Sequence, residues 1–172
     1  MNEKKGALYL FSGLAGAGKT TLGRLFYQRL RERKDAVFFF DNDGMGWVFT
    51  EEGVPAGYDT ASRIRRAYRS LRLCKALCDQ GIDVVCCIIA VYDELTAWCR
   101  ENVDNFREIY VKAPMETLRA RDQKGLYSSG APDVVGVDLP YDEPKAPDVV
   151  LLNDGARTPG ELITELEKEL GS

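Results

Sequence analysis

Gly13-Leu14-Ala15-Gly16-Ala17-Gly18-Lys19-Thr20 fits the pattern G-x-x-x-x-G-K-T, and the segments on either side give that pattern its meaning. Before it, Ala7 to Ser12 is an apolar run of strand length. After it, Leu22, Leu25, Phe26 and Leu30 fall at i, i+3, i+4 and i+8, the spacing of one helix face. A glycine-rich turn between strand and helix lets backbone N–H groups converge on phosphate oxygens, and the helix N-terminus adds the positive end of its dipole. Gly13, Ala15, Gly16, Ala17, Gly18, Lys19, Thr20 and Thr21 are therefore expected to cradle a triphosphate. In that cradle Lys19 meets the β and γ oxygens and the Thr20 hydroxyl ligates magnesium, so ATP and Mg2+ are the expected ligands.

The rest of the chain alternates strand-length apolar runs with helix-period segments, which predicts a parallel sheet covered by helices on both faces. Ala36 to Phe40 is the second strand, with both faces expected to be buried. A helix from about Thr60 to Gln80 carries Ala67, Leu71, Cys74 and Cys78 on one stripe and stops at Gly81. Ile82 to Val91 is the most hydrophobic strand and is expected at the centre of the sheet. A short helix over Glu94 to Asn102, a strand from Phe106 to Lys112 and a helix from Pro114 follow. Glycines and prolines then punctuate residues 123–147, a stretch too long for an idle connection, so a lid over the site is expected there. Val149 to Leu152 gives a fifth strand. Thr158-Pro159-Gly160-Glu161 opens the last helix with a capping box ahead of Leu162, Leu166 and Leu170. The expectation is one α/β domain over residues 1–172: a three-layer P-loop fold with a five-stranded parallel sheet.

Composition narrows the partners. The 172 residues are 45% hydrophobic and 29% charged, with no run of the ~18 apolar residues that a membrane span needs. A net charge of −4 argues against a nucleic-acid polymer, which basic surfaces usually meet, and favours a small-molecule substrate. The five cysteines form no C-x-x-C pair and there is no histidine, so zinc-site spacing is missing and buried, reduced thiols in a cytoplasmic protein are expected. Without histidine, proton transfer falls to carboxylates, lysine or water.

Two carboxylates stand where such chemistry is placed in an open α/β sheet, at the carboxyl end of the second strand. Asp41 and Asp43 could take a proton from an acceptor hydroxyl or hold the water shell of a metal, and the sequence leaves open which does which. Asp41-Asn42-Asp43-Gly44 also spells D-x-x-G, a γ-phosphate sensor in GTPases, but no N-K-x-D for guanine accompanies it. Asp93, at the end of the third strand, is a weaker metal-water candidate that reads more readily as a helix cap.

Gly13 to Thr21, Asp41-Asn42-Asp43, Ile64-Arg65-Arg66, Arg121-Asp122-Gln123-Lys124-Gly125-Leu126-Tyr127 and Gly136-Val137-Asp138-Leu139-Pro140-Tyr141-Asp142-Glu143-Pro144 resemble, in order, the successive motifs of adenylyl-sulfate kinases. The resemblance implies a kinase moving the γ-phosphate of ATP to the ribose 3′-hydroxyl of a nucleotide-like acceptor, and it allows a homodimer. It further implies that Asp43 activates the hydroxyl, that Arg121 lies along the ATP adenine, and that Lys124, Gly125, Leu126 and Tyr127 begin the lid and contact substrate.

The departures fall on the acceptor side. Gly44 and Gly46 stand where the family's D-G-D-N-x-R has Asn and Arg, and Thr60-Ala61-Ser62-Arg63 replaces its R-x-E-N. Ile88 and Val134 replace two aromatics that stack the acceptor's adenine. Arg63 and Arg66 are expected to contact an anion, whereas Arg69 and Arg72 fit a solvated helix face. Trp47, Tyr58 and Tyr92 are available as substitute stacking surfaces. The acceptor is thus open between adenylyl sulfate and a cytidine-diphosphate-type compound such as the cytidine diphosphoramidate used by divergent relatives in capsule decoration. A non-catalytic nucleotide-binding module is the alternative from another class.

Overall fold

Leu8–Ser12 forms strand β1, and its residues divide between two cores: Leu8 and Leu10 are buried on one face and Phe11 on the other. It is followed by α1 (Lys19–Arg31), β2 (Val37–Asp41), the short α2 (Asn42–Met45), a 3₁₀ turn (Gly46–Phe49), α3 (Thr60–Asp79) and β3 (Asp83–Cys87). Then come α4 (Asp93–Asn102), β4 (Phe106–Lys112), α5 (Met115–Arg121), β5 (Val149–Leu152) and α6 (Pro159–Leu170). These elements belong to a computed structural model that describes residues 4–49, 57, 59–89, 92–122, 125–130, 132 and 134–171.

All five strands are parallel, in the order β2-β3-β1-β4-β5. Leu22, Phe26 and Leu30 of α1, with Leu162, Ile163 and Leu166 of α6, cover one face of the sheet. Leu71, Cys74 and Cys78 of α3, with Leu95 and Cys99 of α4, cover the other. The expected three-layer α/β architecture is the observed one. Phe26, fully buried against Phe11 and Tyr9, ties α1 to β1 at about 1.5–3 kcal/mol of transfer free energy.

Two local expectations need correction. The central strand is β1, not the most hydrophobic one: β3 lies between β1 and β2 and ends at Cys87. Both strands are buried on both faces, so hydrophobicity alone does not separate the middle from its neighbour. β2 is an edge strand, and Phe38 and Phe39 are only half-buried although α1 and α3 partly cover them. Asn42 to Phe49 makes a helical turn and a 3₁₀ turn, started by the Asp41 carboxylate accepting from Asp43 N–H at 3.4 Å.

The described residues of 123–147 form turns and bends with one bridge, Val135 to Leu139. Val134 and Val135 are buried, and Gly136, at φ +88°, packs where a Cβ would come 3.0 Å from the Leu14 side chain. All five cysteines are buried and unpaired. Among the described residues no helix is long and apolar enough to cross a membrane, and no three metal-ligating side chains gather.

Candidate active site

The glycine-rich loop joins β1 to α1 at the carboxyl edge of the sheet, and close contacts dictate its glycines. Gly13 has φ +140°, and a Cβ there would lie 2.4 Å from the Val111 carbonyl oxygen of β4. Gly18 has φ +103°, with its would-be Cβ 2.4 Å from the Asn153 amide nitrogen. Lys19 Nζ donates to the Leu14 carbonyl at 2.8 Å, folding the ammonium back across the loop.

Each of the next three carbonyls is also met by a donor from a different part of the chain. The Tyr127 hydroxyl donates to Ala15 O at 2.8 Å, Arg121 Nη1 to Gly16 O at 3.3 Å, and Asn153 Nδ2 to Ala17 O at 2.7 Å. Asp122, in the left-handed region at φ 32°, turns the chain after α5. Its Oδ1 accepts from Tyr127 N–H at 2.8 Å and Ser128 N–H at 3.2 Å, and the Ser128 hydroxyl, then the Tyr127 N–H, hold its carboxyl below the usual carboxylate range. Burial, then the Asp122 charge, pushes the Tyr127 phenol up, so it stays a protonated donor at neutral pH.

A cavity of about 760 Å³ opens in front of this loop. One wall is Ala15, Gly16, Gly18, Lys19, Thr20 and Thr21, and a second is Asp41, Asn42 and Asp43 at the end of β2. Arg63, Arg66 and Ala67 approach from α3, Cys87, Ile88 and Ile89 lie beyond β3, and Leu126, Pro132, Val134 and Val135 close the far side. The start of α3, which aims the two arginines, is fixed by Asp59 Oδ1 accepting from Ser62 N–H at 2.9 Å. Arg66 also donates to Gly57 O. The cavity thus sets the glycine-rich backbone and Lys19 against two carboxylates and two guanidinium groups, a charge pattern suited to phosphoryl transfer.

Most of the expected site residues converge here, but not all. Gly13, Ala17, Arg121, Gly125 and Tyr127 do not line the cavity, and Lys124 and Tyr58 lie outside the described residues. Arg69 donates to Phe49 O at 3.1 Å and Arg72 lies 5.8 Å over the Tyr68 ring, away from the site. Asp93 also stands apart, paired with Lys145 while its N–H donates to Asp142 at 3.2 Å, so its setting is that of a helix start. Tyr92 is buried in the α3 and α4 core and Trp47 is 73% exposed, so neither lines the cavity.

Two residues escaped sequence reasoning. Cys87 lies beneath the first turn of α1, its thiol donating to Lys19 O at 3.4 Å, and burial holds it well above the ordinary thiol range, so it is no nucleophile. Asn153 follows β5, and only its position at a strand end on the same edge of the sheet as the glycine-rich loop could have marked it.

Fold and site define an ATP-dependent P-loop kinase, an enzyme that passes phosphate to a hydroxyl. The adenylylsulphate kinase family model matches residues 5–152, and the chain belongs to that family. It is 33% identical over 163 residues to the cytidine diphosphoramidate kinase of Campylobacter jejuni, covering 92% of this chain and 93% of that one. It is 32% identical over 158 residues to the adenylyl-sulfate kinase of Halothermothrix orenii, covering 90% and 84%. Among solved structures, the APS kinase CysC of Mycobacterium tuberculosis in complex with AMPPNP and APS superposes with a TM-score of 0.86 at 27% identity, covering 98% of this chain and 99% of that one.

Proposed function

We propose that this kinase phosphorylates a ribose hydroxyl of a pyrimidine-diphosphate-type nucleotide, of which cytidine diphosphoramidate is the leading candidate, rather than adenylyl sulfate. The observation that carries the proposal is the pair Ile88 and Val134, 4% and 6% exposed, which line the cavity with aliphatic groups. Aromatic stacking on a base is worth roughly 1–3 kcal/mol. A site with neither of the family's two aromatics gives up about tenfold or more in adenine affinity. Gly46 and Thr60 also remove two family arginines, and each charge-assisted hydrogen bond lost costs about 1.5–3 kcal/mol, while Arg63 can restore one. The similarity to a cytidine diphosphoramidate kinase over 92% of the chain supports the same acceptor class.

In this scheme Lys19 stabilises charge on the transferring phosphoryl group, and Asp43 orients or deprotonates the acceptor hydroxyl while Asp41 supports it from the end of β2. Arg63 and Arg66 face the acceptor's diphosphate. Thr20 and the carboxylates offer hard oxygen donors, which fit magnesium. The ion would neutralise charge on the β and γ oxygens, held by the Thr20 hydroxyl. Five buried, unpaired thiols fit a reducing cytoplasm.

The test measures kcat/KM for adenylyl sulfate beside cytidine- and uridine-diphosphate compounds, with ATP saturating and Asp43→Asn as the inactive control. Cytidine diphosphoramidate is expected to lead by about tenfold or more. Adenylyl sulfate leading with kcat/KM above about 10⁵ M⁻¹s⁻¹ overturns the proposal.

A further inference from the structure

We infer that Asn153 and Tyr127 are positioning residues for phosphoryl transfer: from behind the glycine-rich loop they hold two carbonyls outward and so aim two particular N–H groups into the cavity. The loop has two kinds of peptide. Gly16 and Gly18 line the cavity, whereas Ala17 between them is 1% exposed and spends its N–H on Leu14 O at 3.2 Å. A trans peptide is planar, so its C=O and the following N–H point in opposite directions. The carbonyl sharing a plane with Gly16 N–H is Ala15 O, which Tyr127 holds at 2.8 Å; the one sharing a plane with Gly18 N–H is Ala17 O, which Asn153 holds at 2.7 Å. Each tether therefore acts on one of the two glycine amides that face the phosphate.

The Asn153 contact is built rather than incidental. The backbone N–H of Asn153 donates to Lys112 O at 2.8 Å, extending the β4–β5 ladder and fixing the residue beside the loop. Its Oδ1 accepts from Arg121 Nη2 at 3.3 Å. Because a guanidinium only donates and a carbonyl only accepts, these two neighbours fix the amide with nitrogen toward Ala17 and oxygen toward Arg121. The missing Cβ of Gly18 leaves the space that the Asn153 amide occupies, 2.4 Å from where that carbon would be. Tyr127 is placed independently, through its N–H on Asp122.

Two neutral, near-isosteric edits test this. Asn153→Leu removes the donor to Ala17 O, while Arg121 keeps its bonds to the residue 153 carbonyl at 3.2 Å and to Gly16 O at 3.3 Å. Tyr127→Phe removes a single hydroxyl. The probe is MgADP, read by calorimetry and by the amide resonances of Gly16 and Gly18 in the full chain. Each edit is expected to weaken MgADP by about 3- to 10-fold, the size of one neutral hydrogen bond. Asn153→Leu should shrink the MgADP-induced shift of the Gly18 amide and spare Gly16, and Tyr127→Phe the reverse, a pattern that general loosening does not produce. An affinity within twofold of the unaltered chain, or both glycine amides responding alike whichever tether is cut, overturns the inference. If Asn153→Leu does not fold, the Tyr127→Phe arm decides by the same two criteria. Because MgADP carries no acceptor, failure here leaves the choice of acceptor untouched.

Discussion

At the scale of single residues, burial and charge conflict at Glu108, on the β4 strand that flanks the loop. It is 2% exposed, its Oε2 accepts from Arg100 at 3.2 Å, and its Oε1 has no hydrogen-bond partner among the described residues. Burial raises its pKa above the ordinary 4.5 in spite of the Arg100 charge. An acid whose folded pKa is raised contributes its full stability below the unfolded value and loses it as pH rises through the folded one. Charged Glu108 is therefore a net cost at neutral pH, as buried ion pairs often are. Glu108→Gln should be more stable than the unaltered chain at pH 7.5, and the gap should close as pH falls toward about 4.5. Urea unfolding at several pH values checks this. A variant less stable at neutral pH would mean that the Arg100 pair outweighs the desolvation.

Among the elements, α6 is the one whose start was written most completely into the chain. Thr158 Oγ1 accepts from Glu161 N–H at 3.3 Å, and Glu161 Oε2 accepts from Thr158 N–H at 2.8 Å, closing the capping box. The helix buries Leu162, Ile163 and Leu166 against α1 and β5. Thr158→Ala is expected to cost about 1 kcal/mol, a fall of roughly 2–4 °C in Tm for a chain of this length, and Thr158→Ser should recover most of it. A thermal scan in which Ala and Ser behave alike would count against the cap. Such features were legible because they depend on neighbours in sequence, as with the loop, α1, β4 and β5. What stayed hidden depends on pairing. The central place of β1 comes from both its neighbours being distant in sequence, and Asn153 acts on a carbonyl 136 residues earlier. Short-range periodicity carries no trace of either.

For the whole molecule, the described residues of 123–147 include both a rear support of the loop, Tyr127, and part of the cavity's far wall, Val134. We expect this stretch to be cut first in limited proteolysis and to be protected by ATP with acceptor, as a closing lid requires. Equal cleavage with and without ligands would speak against closure. The strand order has a consequence for a chain still being made. β1 leads into the glycine-rich loop, yet both its partners, β3 and β4, lie within residues 83–112, and the donor to Ala17 O follows only at Asn153. At a synthesis rate of about 5–20 residues per second, roughly 5–20 s pass between release of the loop and release of β4. Through that interval the glycine-rich loop of a nascent chain lacks at least one of the two strands that flank β1. Until residues 106–112 are made the loop lacks the strand that closes one side of β1, so added nucleotide is expected to stabilise a nascent chain only beyond that point.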